Sequence, residues 1–344
     1  MSNSKSLSFS KRLVAGVLSF VTCAAVVCAP ASEVLPEMLS SQNLSMSASA
    51  AYRSSSITAI SGNVTLYAGD YLQNGDYKAI LQTDGNFVVY NTRTNQAMWH
   101  SGTYYRGKYS NYHLVVQTDG NLVLYARKGN NNDYWLWTSG TNTSNFTCGN
   151  GYYFTLSLSN SGRLALTQTY RGMSSTASEK WNNNCTKNKR RIEKLFQGNY
   201  GGWLNGGSYS IAAAGCALTS YAMVYNLYNG TSKSPEDLNY SPYISGGNTM
   251  WKGVAEKLVY PSYARIAEQV RFNPTIVCIE NDTGVDHYVV VYGCTKFSGS
   301  ISASDLLVAD PASASVNTLQ DAMNRKGYNP RIYSSRIWTG DSQW

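Results

Sequence analysis

The sequence predicts a multidomain protein: an all-β half with internal three-fold repetition, then a mixed α+β half, both behind an export signal. Three observations carry this. A ten-residue motif, Leu81-Gln82-Thr83-Asp84-Gly85-Asn86-Phe87-Val88-Val89-Tyr90, recurs as Val116-Gln117-Thr118-Asp119-Gly120-Asn121-Leu122-Val123-Leu124-Tyr125, and in decayed form over Leu158–Thr167. From residue 196 the short alternating runs give way to a helix-forming stretch, Ala212 to Leu227, and then to β-branched runs. At the N-terminus, Leu13 to Cys28 is an apolar run of 16 residues behind Lys5, Lys11 and Arg12.

In chain order, Ala29-Pro30-Ala31 follows that run as a small-residue cleavage site, so residues 1–31 read as a signal peptide and the mature chain as secreted and extracellular. At 16 residues the run is too short to prefer an anchoring helix, and no membrane span is expected after cleavage. Residues 32–56 are rich in Ser and Ala and aperiodic, a flexible lead-in. The whole chain of 344 residues is 43% hydrophobic but only 14% charged, with 27 Tyr and 29 Gly, a balance that excludes disorder and suits a β-rich, exported surface. Its net charge of +8 is not spread out. Lys5, Lys11 and Arg12 account for three, and Lys187, Lys189, Arg190, Arg191 and Lys194 against Glu193 for four more. Without a distributed basic footprint, nucleic acid is not an expected partner.

From about 56 to 185 the chain reads as strands and Asp-Gly or Asn-Gly turns. Trp99 in MWHSGT and Trp137 in LWTSGT follow the two intact motifs, and Trp181 follows the third. One unit is too small to bury its Trp alone, so the three are expected to pack around a shared core, as in a β-prism. On a single strand, Gln82, Asp84, Asn86, Val88 and Tyr90 would share one face, as would Gln117, Asp119, Asn121, Val123 and Tyr125. Amide, carboxylate, amide, apolar patch and phenol in a row can hydrogen-bond vicinal sugar hydroxyls while the Val packs on ring C–H groups. A polar solvent-facing strand is common, but does not predict the same five residues twice. The Q-x-D-x-N-x-V-x-Y pattern with Trp-x-Ser-Gly-Thr after it, over about residues 57–183, resembles the bulb-type (monocot) mannose-binding lectins. That resemblance implies a β-prism II fold and mannose-type glycans as partners at each intact motif. In the third copy Ser159, Ser161, Arg163 and Thr167 stand where Gln, Asp, Asn and Tyr would be, and no mannose is expected there.

Residues 186–195 read as a basic, solvated linker. Beyond it, helices are expected over Ala212–Leu227 and Trp251–Leu258, with neighbouring strands over Pro274–Glu280 and His287–Tyr292. Five cysteines remain after the signal: Cys148, Cys185, Cys216, Cys278 and Cys294. Cys148 and Cys185 flank one segment and are placed to clip it as a disulfide; a tight hairpin near Asn281–Gly284 does not set Cys278 opposite Cys294; Cys216 is the odd thiol. It opens the best helix in the chain, where unpaired N–H groups and the dipole favour thiolate. His287 starts a strand and Asp310 ends the next. A lone Cys is most often a buried hydrophobe and a lone His often structural, but Cys early on a helix with His and Asp on later strands is the papain-like order. A single His in this half cannot complete a closed zinc site, and no metal or other cofactor is expected. Gly215–Val224, Asp286–Gly293 and Ala309-Asp310-Pro311 resemble, over about residues 195–325, the papain-like peptidases related to bacteriocin-leader-processing (double-glycine) peptidases. By position, the resemblance implies Cys216 as nucleophile, His287 as base and later acid, Asp310 as its orienter and Gln197 as oxyanion donor. The expected organisation is a lectin domain over 57–185 and a cysteine peptidase-like domain over 196–344, acting on a peptide or on peptidoglycan amides. A carbohydrate-binding protein with an inactive second half is the alternative.

Overall fold

A computed structural model describes residues 53–338, apart from 105–108, 130–131, 173–176, 285 and 328. The expected signal peptide and most of the Ser/Ala-rich segment lie outside the described residues. The repeat region contains twelve strands: β1 (Ser56–Ala59), β2 (Val64–Tyr67), β3 (Tyr71–Asn74), β4 (Tyr77–Leu81), β5 (Phe87–Asn91), β6 (Gln96–His100), β7 (Ser110–Val116), β8 (Leu122–Arg127), β9 (Asp133–Thr138), β10 (Tyr152–Leu158), β11 (Leu164–Tyr170) and β12 (Ser178–Asn182). They form three antiparallel groups of four, β3-β4-β5-β6, β2-β7-β8-β9 and β1-β10-β11-β12. The first strand of the region thus completes the third group and closes the set.

The repeat explains the core. In each unit a Trp on the fourth strand pairs with the third: Trp99 with Val89, Trp137 with Leu124 and Trp181 with Leu166. The three indoles meet edge to face, with centroids 5.8, 5.4 and 5.4 Å apart, and none is more than 3% exposed. Burying each contributes roughly 4–6 kcal/mol from area alone. The turn glycines complete the cycle. Gly85, Gly120 and Gly162 take positive φ (89°, 81° and 79°) and lie against Tyr112 of the second unit, Phe154 of the third and Tyr77 of the first. A side chain at any of the three would meet an aromatic ring of the next unit.

The second half contains β13 (Asn188–Arg190), α1 (Ile211–Ala214), α2 (Cys216–Asn229), β14 (Ile244–Ser245), β15 (Asn248–Thr249), β16 (Val254–Val259), α3 (Tyr263–Phe272), β17 (Thr275–Glu280), β18 (His287–Cys294), β19 (Leu306–Ala309), α4 (Leu319–Arg325) and β20 (Arg331–Trp338). Strands β16, β20, β17, β18 and β13 are hydrogen-bonded in that order, with β19 also on β18. Helix α2 lays Leu218, Tyr221, Ala222, Met223 and Val224, all buried, toward the sheet. The described residues are therefore mostly sheet with few helices.

Three expectations need correction. The basic run is not a solvated linker. Strand β13 pairs with β9 of the repeat region on one side and β18 on the other, which makes one ten-stranded sheet. Gly293 permits the approach, since a Cβ there would lie 2.7 Å from Asn188 O. Alternation along β13 sends Arg190 inward, fully buried, where its Nε donates to Ser101 O (2.7 Å) and its Nη2 to Arg271 O (2.7 Å), with Nη1 on Val270 O. The guanidinium is thus held by carbonyls at the C-terminal end of α3, where a helix favours positive charge. Second, the helix expected over Trp251–Leu258 is largely strand β16. Positive φ at Trp251 (52°) and Gly253 (74°) prevents a helix from starting, and Lys257, Leu258 and Val259 pair with β20. The helix lies further on, at α3, where Ser262 caps it by accepting from the Arg265 N–H at 3.2 Å. Third, Cys148 and Cys185 are both free thiols. Each is turned to a separate carbonyl, Cys148 Sγ to Ala59 O (3.3 Å) and Cys185 Sγ to Lys187 O (3.8 Å). Cys278 faces Tyr288 across the β17–β18 pair, not Cys294, and both these thiols are free.

Candidate functional sites

In the first repeat, residues 82–86 are a turn and not strand: Gln82 N donates to Asn86 O and Gly85 N to Gln82 O. The five candidate residues consequently do not share one strand face. What the turn does is gather them. Gln82 Nε2 donates to Tyr90 Oη (3.0 Å), and Asp84 Oδ1 accepts from the Asn86 N–H (2.8 Å). The second repeat reproduces both contacts, Gln117 to Tyr125 at 2.9 Å and Asn121 N–H to Asp119 at 3.0 Å. Val88 and Val123 lie within the sheets, 0% and 3% exposed, and present no apolar patch to a sugar.

The Ser-Gly-Thr after Trp99 and after Trp137 has a structural task that sequence reasoning missed. Asn86 Oδ1 accepts from Ser101 Oγ and the Thr103 N–H, both at 3.2 Å, while Thr103 Oγ1 donates to Gly85 O (2.7 Å). Ser139 and Thr141 clamp Asn121 and Gly120 in the same way. In the third repeat Asn183 replaces two of these contacts: its Oδ1 accepts from Leu164 N–H (3.1 Å), as Ser101 Oγ accepts from Phe87 N–H (3.0 Å), and its Nδ2 donates to Gly162 O (3.0 Å), as Thr103 does to Gly85 O. There Arg163 is paired with Glu179 at 2.7 Å, so the third turn offers a closed ion pair instead of open acceptors. The two intact copies also differ. Asn86 is 0% exposed, and its neighbours His100 and Gly102 abut Phe272 and Arg190 at the seam with the second half. Asn121 is only partly buried, and Thr138 Oγ1 donates to its Oδ1 (2.8 Å). At the tip of the turn the order is reversed, with Asp84 exposed and Asp119 half-buried.

The second constellation gathers from four segments. Ser210 caps α1 by accepting from Ala213 N–H, and the chain then breaks at Gly215 before α2 begins at Cys216. Only glycine fits at this break: a Cβ would lie 2.5 Å from Ile211 O. Gly215→Ala is therefore expected to displace the start of α2, costing about 1–3 kcal/mol in thermal unfolding and slowing alkylation of Cys216. Ser220 Oγ donates to Tyr288 O (3.0 Å) and fixes α2 to β18 one residue from His287. His287 Nε2 lies 2.9 Å from Asp310 Oδ1, and its ring also engages the Cys216 thiol. With Nε2 committed to Asp310, Nδ1 is the nitrogen left for sulfur. Asp310, 1% exposed, is held in turn by the Ala312 N–H at 2.7 Å and by Arg325 at 3.6 Å. Gln197 bridges the two ends of the site: its N–H donates to Pro311 O (2.8 Å) and its Nε2 to Ala212 O (3.0 Å). That leaves one amide hydrogen of Nε2 for another acceptor.

The electrostatics agree with a charge-separated pair. Burial opposes an imidazolium, but the hydrogen bonds and charges of Asp310 and Cys216 outweigh it and raise His287 to about 9. Burial likewise opposes a thiolate, and His287 with the Tyr288 and Ala217 N–H groups brings Cys216 below its ordinary value. Asp310 is desolvated yet held low by His287. Among the described residues no group of His, Cys, Asp and Glu is arranged to hold a metal ion.

No family model matches the chain. No curated protein matches it either. It is similar to solved structures of monocot lectins: a monomeric mannose-binding lectin from Gastrodia elata (30% identity, 37% of this chain and 94% of that one, TM-score 0.28), a lectin from Allium sativum (30%, 36% and 99%, 0.26), and the snowdrop (Galanthus nivalis) mannose-specific agglutinin complexed with methyl-α-D-mannoside (27%, 36% and 98%, 0.28). Among the described residues no helix is long and apolar enough to cross a membrane.

Proposed function

We propose that this is a secreted protein that binds mannose-type glycans through its repeat region and cleaves an amide bond with a papain-like Cys216–His287–Asp310 site. The observation that carries the catalytic part is the 2.9 Å His287–Asp310 contact beside a thiol at the start of a 14-residue helix. In this reading the Cys216 thiolate attacks the scissile carbonyl carbon. The oxyanion is met by Gln197 Nε2 and by N–H groups at the start of α2. His287 gives its proton to the leaving amine, and a thioester to Cys216 remains. His287, now neutral, takes a proton from water; the resulting hydroxide opens the thioester, and the acid product leaves with the thiolate restored. Asp310 keeps the imidazole oriented and favours its charged form throughout.

The repeated Gln–Tyr and Asp–Asn contacts support the glycan part, with one site at each intact copy. Full-length protein is expected to bind a mannose column and to elute with free methyl mannoside. Tyr125→Phe deletes one hydroxyl at the rim without touching the Trp core, and is expected to weaken retention by roughly 1 kcal/mol, about fivefold. Tyr90→Phe is expected to do the same at the first copy. Equal retention of the double variant and the parent would remove the two motifs as the glycan site. For the catalytic part, the test is turnover of a peptide library or purified peptidoglycan by the parent and by Cys216→Ser, which should lose cleavage and keep mannose binding. Cleavage that survives Cys216→Ser would exclude this thiol as the nucleophile.

A further inference from the structure

The seam between the two halves holds a groove of about 370 Å³, lined by Trp135 of β9, Lys189 of β13, Arg191, Glu193 and Lys194 just after it, and Tyr292 of β18. Neither half alone can form it. Aromatic rings position the cations: the Arg191 guanidinium stands 4.4 Å from the centre of the Tyr134 ring and the Lys189 ammonium 5.3 Å from that of Trp135. Among the described residues, none of Lys189, Arg191 and Lys194 lies in an ion pair, while the one carboxylate, Glu193, is matched by Lys128 at 3.6 Å. Three cationic residues therefore line the groove beside a single carboxylate that is already paired. Their placement relative to the candidate catalytic site is fixed by the backbone. Arg191 N–H donates to Leu136 O of β9, and Gln197 N–H to Pro311 O beside Asp310. Gln197 is only six positions beyond Arg191, so the groove lies within about 20 Å of the oxyanion donor, and the Lys194 ammonium is near enough to feel the charge of Asp310.

We propose that this groove is an exosite for an acidic peptide: the stretch of substrate that flanks the bond presented to Cys216 and carries Asp or Glu side chains. The inference rests on the catalytic reading given above. Carboxylates would pair with Arg191, Lys189 and Lys194, and the rigid ten-stranded sheet would hold that grip at constant distance from the thiol. Binding energy from a segment remote from the reacting bond then orients the amide at the site.

The test uses the full chain with Cys216→Ala, so that nothing is cut, and a fluorescein-labelled hexaglutamate peptide followed by anisotropy at low salt. The expected result is saturable binding that weakens steeply as salt is raised and is unaffected by methyl mannoside. Hexaglutamine should not bind. Lys189→Gln with Arg191→Gln, which removes two charges and leaves every backbone contact of β13 in place, is expected to weaken binding at least about tenfold, with unchanged mannose retention as the check on folding. Equal binding of hexaglutamine, unchanged affinity in the double variant, or preferential binding of an oligogalacturonate over the peptide would overturn the proposal. The two claims separate cleanly. Alkylation of Cys216 at pH 6 in the otherwise native chain reports the catalytic reading alone: a reactive thiol without peptide binding sinks the exosite, and peptide binding with an inert thiol sinks the catalysis on which it was built.

Discussion

His287→Ala is expected to slow iodoacetamide alkylation of Cys216 at pH 6 by about a hundredfold or more. The magnitude follows from the thiolate fraction. A thiol of pKa about 8.5 is roughly 0.3% ionised at pH 6, whereas a thiol paired with an imidazolium is largely ionised there. Removing the ring deletes the contribution that overcomes burial at Cys216, so the variant should fall to the unassisted rate or below it. Peptide mass mapping of the labelled site measures the effect, with Cys148, Cys185, Cys278 and Cys294 as internal references. Burial holds all four of these thiols above the ordinary value. Identical rates with and without His287 would show that the ring does not activate the thiol. The direction with pH also follows. The pair is charged above the lowered thiol pKa and below about 9, where His287 loses its proton, so turnover should form a plateau between the two and fall on both sides.

Trp137→Ala is expected to destabilise the protein by about 3–5 kcal/mol, the largest effect of any single core truncation in the repeat region. Trp137 is fully buried and touches both other indoles. It also stands on β9, the strand that carries β13 and with it the second half. The loss should therefore be cooperative: near-ultraviolet circular dichroism of the repeat region and alkylation protection of the buried Cys278 and Cys294 should disappear at the same denaturant concentration. Separate transitions would mean that the two halves unfold independently despite their common sheet.

The parts of this architecture that were legible in the sequence are those written as periodicity. Repetition of Gln-x-Asp-x-Asn-x-Val-x-Tyr with a following Trp announced three units and a shared core, and the stretch Ala212–Leu227 announced one helix, which the structure breaks at Gly215 into α1 and α2. Side-chain direction was harder to read. Gln82 to Tyr90 looks like one strand face, but Asp84-Gly85 turns the chain, and the face is replaced by a turn that brings Gln82 onto Tyr90. The Ser101–Thr103 clamp left a visible signal, since Ser-Gly-Thr recurs with each intact motif, yet its partners, an Asn side-chain oxygen and a Gly carbonyl, lie 15 to 21 residues away in sequence. The run 186–195 was opaque for a physical reason. Its composition is that of a solvated segment, and only tertiary structure supplies the carbonyls of Ser101, Val270 and Arg271 that make a buried Arg190 tolerable. Helix signals near Trp251 were likewise outweighed by pairing of β16 with β20. The cysteine count invited a disulfide between Cys148 and Cys185, but spacing alone says nothing about which carbonyl each thiol meets.

The measurement that tests the account most directly is the ultraviolet thiolate titration of Cys216, taken as the difference between the native full chain and Cys216→Ala. The expected midpoint lies below the 8.5 or so of a free thiol and moves above that value in His287→Ala. A midpoint at or above 8.5 in the native chain, unmoved by loss of His287, would contradict it.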